Sequence, residues 1–136
     1  MKKRFIWIFV FVGIVVVLLY LQYGRDVEVT SSMNDSSDNF YEQDLTIIAN
    51  RLFIWDKEEF AREMIERCID NNFHEVRFSY DIKGYPNGLQ ITIYPNSFCK
   101  KITQNHFTIL YETHTGFDHN YNIKDNPEEF KIYISE

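Results

Sequence analysis

The chain has little that would mark it for nucleic acid, nucleotides or covalent catalysis. Apart from Lys2, Lys3 and Arg4, the only adjacent basic residues are Lys100 and Lys101, and the net charge is -6. A surface of that sign without a basic patch repels phosphate backbones, so no nucleic-acid partner is expected. No Gly-x-Ser-x-Gly elbow, phosphate loop or dinucleotide fingerprint occurs, which removes the common hydrolase and nucleotide-binding signatures. Cysteine is confined to Cys68 and Cys99. Neither has the basic neighbourhood and partner histidine of a nucleophile, and neither lies just after the apolar N-terminal run, where a lipid anchor would need it. Whether the two are bridged stays open, because their separation in space is not legible. Nothing in the sequence calls for a cofactor, and an enzyme is not the leading expectation.

What the chain does have is a long apolar run. From Phe5 to Tyr23, nineteen residues pass without a charge, close to the ~20 that a helix needs to cross a hydrocarbon core. The run is longer than the roughly 7 to 15 residues of a leader's apolar region and is not followed by a small-residue cleavage site. It is also apolar all round, whereas a core helix carries a polar stripe. Trp7 near one end, with Tyr20 and Tyr23 near the other, fits the aromatic preference for membrane interfaces. Residues 1–23 therefore read as a cytoplasmic basic tip followed by an uncleaved transmembrane signal anchor. Cations before the run and acids after it set the orientation, with the N-terminus cytoplasmic and the C-terminal part outside a single-pass cell membrane.

Residues 24–39, "GRDVEVTSSMNDSSDN", are rich in Ser, Asp and Asn and read as a flexible acidic and polar linker. Its span as a coil would be on the order of 20 Å. Residues 40–136 carry 10 basic and 16 acidic side chains together with 17 aromatics, enough to fill one core, and read as an extracytoplasmic domain.

Within that domain the expected class is α+β. Leu45 to Trp55 reads as a strand. Asp56 suits a helix N-cap, with Glu59 as its reciprocal partner and Trp55 and Phe60 as a hydrophobic staple. Along the helix, Phe60, Ala61, Met64, Ile65, Cys68 and Ile69 fall on one half of the wheel, and Glu58–Arg62 and Glu63–Arg67 form i,i+4 pairs. Asn71 and Asn72 suit its end. Alternating residues over 76–82 and 89–93 read as half-buried strands joined by a hairpin at "YPNG". A short helix near 96–105 and alternating strands at 107–111 and 130–134 complete the order β-α-β-β-(α)-β-β. One antiparallel sheet packed against the main helix would bury these faces. In element order alone, a small βαββ-type domain on a single span resembles ring-building modules of bacterial envelope machines.

Two surfaces are candidates for function. "ETHTGFDHN" gathers Glu112, His114, Asp118 and His119 around Gly116, residue types that bind divalent metals, although the spacing matches no recognised zinc pattern. His106-Phe107-Thr108 has the His-x-Thr form of two-histidine phosphoesterases, which need a second copy that is missing here. The other candidate is a sheet edge near Phe130 to Ile134, able to accept a partner strand. The leading expectation is thus a membrane-anchored interaction domain of an envelope or secretion-type assembly, binding another envelope protein or itself. A small membrane-tethered metal-dependent hydrolase or ligand-binding domain using His114, Asp118 and His119 is the alternative.

Overall fold

The computed structural model describes residues 1–37, 40–102, 106–115 and 120–136. Helix α1 spans Lys2–Tyr23 and is long and apolar enough to cross a membrane. Its side chains from residue 2 to residue 20 are all exposed, so it leaves the domain rather than joining the core. The following residues form strands β1 (Glu28–Ser37) and β2 (Phe40–Ile48), helix α2 (Lys57–Asp70), a short helix α3 (Tyr80–Lys83), strand β3 (Gly88–Tyr94), a short helix α4 (Ser97–Lys101), and strands β4 (Phe107–Thr113) and β5 (Phe130–Ser135). The strands make one sheet in the order β1-β2-β3-β4-β5.

The sheet is mixed, not antiparallel as expected. β2 and β3 run parallel, with Leu45 beside Ile91 and Ile47 beside Ile93, while the other three pairings are antiparallel. The cause is α2, which carries the chain back along the sheet so that β3 starts at the same end as β2. The α+β class stands, but the element order differs from the expected one: β1 precedes β2, and the short helix α3 takes the place of the strand expected at 76–82. Along β2, β3 and β4, odd-numbered residues are buried, Leu45, Ile47, Leu89, Ile91, Ile93, Phe107, Ile109 and Tyr111 among them. They pack against Phe60, Ala61, Met64, Ile65 and Cys68 of α2. The even-numbered residues, apart from the buried Ile48 and Gly88, form a second, uncovered face.

α2 starts as its sequence requires: the Asp56 carboxylate accepts a hydrogen bond from the Glu59 amide at 3.0 Å. The staple does not close, because Trp55 is 79% exposed; the Arg51 guanidinium instead lies 4.9 Å from the centre of the Phe60 ring. Glu58 and Arg62 pair as expected. Glu63 and Arg67 do not, since Glu63 faces Arg51 and Arg67 turns to Asp26. Asn71 ends the helix in the left-handed region at φ 55°, and its side chain bonds both the amide and the carbonyl of Phe78.

That cap explains a second departure. Residues 76–82 alternate like a strand, yet they form no strand and end in α3. Phe78 packs edge-on to Phe73 and stacks on Tyr80, which in turn contacts Tyr85, so the alternating aromatics serve a ring ladder. "YPNG" is correspondingly not a hairpin. Asn87 donates from its backbone to the Tyr41 carbonyl, accepts from the Tyr41 amide and donates to Tyr121, tying the start of β3 to β2.

The largest correction concerns the linker. Residues 28–37 are not a tether but pair with β2 from Glu28–Ile48 to Ser37–Phe40, with a register shift between Val29 and Ser31. Strand pairing uses backbone groups, so few apolar side chains are needed at a sheet edge; among the described residues, Val29 of this strand and Val27 just before it enter the core. Cys68 and Cys99 are both buried.

Candidate functional site

β5 is an edge strand. Its inner side pairs with β4 from Thr113–Phe130 to Thr108–Ser135, and no strand among the described residues lies on its outer side. Phe130, Ile132 and Ile134 face α2, and Lys131, Tyr133 and Ser135 face the uncovered side, because side chains alternate along a strand. The sequence of this edge, β-branched and aromatic with one charge, suits further pairing. The opposite edge is guarded: β1 bears Glu28 and Asp35 and carries the register shift that bends it.

A groove of about 580 Å³ runs between α2 and β5. Ile65, Ile69, Tyr111, Phe130 and Ile132 supply its apolar lining, and Glu58, Arg62, Glu66 and Lys131 its polar margin. α2 approaches the sheet most closely at β5, and Ile69 at this margin of the helix is only partly covered. Tyr111 and Phe130 set their rings 4.9 Å apart on the groove floor, and burial, then the nearby Glu128, pushes the Tyr111 hydroxyl pKa up. A chain laid along β5 could pair its backbone with the strand and place alternate side chains over this apolar floor.

Of the metal candidates, Glu112 and His114 are among the described residues. Glu112 lies on the uncovered face of β4, in register with Lys131 of β5. It belongs to an acidic group in which burial, followed by Asp44, Glu112 and Asp35, raises the pKa of Glu42. His114 is exposed just past β4, and Asp118 and His119 lie outside the described residues. Among the described residues, no three His, Cys, Asp or Glu side chains gather as a metal site would require. His106 is exposed, with its ring 5.4 Å from that of Tyr94.

The strand at Phe130 to Ile134 was legible from its alternation. The groove beside it was not, because the helical wheel puts Ile65 and Ile69 on the buried half without saying how far the sheet extends beneath them. No protein-family model matches the chain, and no curated protein or solved structure is significantly similar to it.

Proposed function

We propose that this chain is a single-pass cell-membrane protein, with its N-terminus cytoplasmic, whose extracytoplasmic α+β domain binds a partner strand along β5. The partner is another envelope protein or a second copy, as in a component of an envelope or secretion-type assembly. The observation that carries this reading is the pairing of an unguarded edge strand with an apolar groove at its side. Backbone bonding supplies the affinity in this mode, and the groove selects the side chains. The anchor reading rests on the length, apolarity and exposure of α1.

The test is site-specific crosslinking in intact cells. A photoreactive benzophenone in place of Tyr133, 41% exposed on the β5 edge strand, should give one discrete adduct. The same group in place of Thr30, which is exposed on the guarded β1 edge, should give none. An adduct from position 30 without one from position 133 would move the interface away from β5.

A further inference from the structure

Among the described residues after Tyr23, the exposed apolar side chains are not scattered. Met33, Phe53, Trp55, Ile82, Phe98, Ile102 and Tyr133 are the large ones, and four of these seven lie at one end of the sheet. The topology defines that end: β2 and β3 finish there, at Ile48 and Tyr94, and β4 begins there, at Phe107. It is also where α1 meets the domain. The Gln22 amide donates to the Phe53 carbonyl at 2.6 Å, and its oxygen accepts from the amides of Leu52 and Phe53 at 2.9 Å each. Neighbouring residues extend this contact to α4, since the Arg51 amide donates to the Pro95 carbonyl at 2.7 Å and the Asn96 side chain donates to the Arg51 carbonyl at 3.3 Å.

We infer that the loop carrying Phe53 and Trp55, together with α4 carrying Phe98, Lys100 and Lys101, is a second membrane contact that rests on the headgroup layer of an anionic bilayer. The inference rests on the reading of α1 as a span. A helix rises ~1.5 Å per residue, so a loop bonded to Gln22 sits within one turn of the end of the apolar run and cannot be remote from the bilayer surface. Phe53 and Trp55 are 62% and 79% exposed, with ring centres 5.5 Å apart, and Phe98 is 68% exposed. Tryptophan and other amphipathic rings favour this interfacial depth, and Tyr20 and Tyr23 on α1 mark the same level. The cations fit as well. Arg51, Lys57 and Arg67 are engaged with Glu63, Glu136 and Asp26, whereas Lys100 and Lys101 have no ion-pair partner among the described residues. Two unengaged lysines beside exposed apolar rings favour anionic lipid heads, although the domain as a whole is acidic.

The chain has two tryptophans, one in α1 and one on this rim, so each can be read alone. Full-length Trp7→Phe, reconstituted in vesicles of phosphatidylcholine and phosphatidylglycerol in equal parts, should show Trp55 quenched by lipids brominated near the headgroup more strongly than by lipids brominated at the chain end. Omitting phosphatidylglycerol, or introducing Lys100→Glu with Lys101→Glu, should weaken that quenching. In the companion Trp55→Phe protein, quenching of Trp7 by lipid reports on the span. Trp7 quenched with Trp55 untouched would overturn the second contact while leaving the anchor intact. Neither residue quenched would remove the span and the contact together. Trp55 quenching indifferent to phosphatidylglycerol and to both lysine changes would overturn the preference for anionic lipid.

Discussion

The side-chain amide of Gln22 grips the backbone of Phe53 from both sides, donating to its carbonyl at 2.6 Å and accepting from its amide at 2.9 Å. Gln22 is the one strongly polar side chain in the apolar run, and it is buried against the domain. Removing it leaves the Leu52 and Phe53 amides without their acceptor. Gln22→Leu should therefore cost about 1 to 3 kcal/mol of local stability. Hydrogen exchange at these two amides should accelerate by roughly ten- to hundredfold while exchange in β3 stays constant. Unchanged exchange at residues 52 and 53 would mean that the grip is not formed.

Asp26 and Arg67 add a second tie, meeting through two hydrogen bonds of 2.7 and 3.1 Å. The Arg67 side chain is largely covered, and its hydrogen bonds hold the Asp26 carboxyl below the ordinary carboxylate range. A carboxyl whose pKa falls on folding stabilises the fold above its unfolded pKa of ~3.9, and that contribution disappears as pH drops through the folded value. Asp26 is mostly exposed, so Asp26→Asn should cost ~1 kcal/mol or less at neutral pH. Thermal melts of the two proteins should converge below about pH 4. A difference that persists undiminished in acid would show that the charge is not the cause.

Glu42 carries the opposite sign. Burial, then Asp44, Glu112 and Asp35, raise its pKa, so its ionised form disfavours folding. The penalty is absent at low pH and appears as pH rises through the folded pKa. Glu42→Gln should accordingly raise the melting temperature at pH 7 and leave it nearly unchanged at pH 3. Destabilisation by this change at neutral pH would mean that the carboxylate has a favourable partner on the uncovered face.

The core of α2 offers the plainest test of packing. Phe60 is 2% exposed, so Phe60→Ala should cost about 3 to 5 kcal/mol through the cavity it leaves. Glu66 is exposed on the same helix, and Glu66→Gln should shift stability by no more than about 0.5 kcal/mol. Denaturant titrations showing equal effects would place the buried face of α2 elsewhere.

These positions also show what the sequence could and could not convey. Asp56, Glu59 and the stripe from Phe60 to Cys68 are local signals, and α2 follows from them. β3, β4 and β5 likewise alternate as strands with one covered face. β1 was hidden because an edge strand pairs through its backbone and leaves Ser31, Asn34 and Ser36 little to contribute. Residues 76–82 misled for the converse reason: their apolar side chains alternate, but Asn71 captures the Phe78 backbone and holds the segment off the sheet. The parallel pairing of β2 with β3 depends on where α2 delivers the chain, which no short window contains. The edge of the candidate site was therefore readable, whereas the groove required the helix and the sheet to be placed together.

The strands lie across the sheet in the same order in which they occur along the chain. During synthesis from the N-terminus, each strand can add to one already in place, and none has to be inserted between two earlier neighbours. The growing sheet thus has a single advancing border, first β2, then β3, then β4. β5 comes last in this succession, and its outer side is a border of the described sheet left without a neighbouring strand.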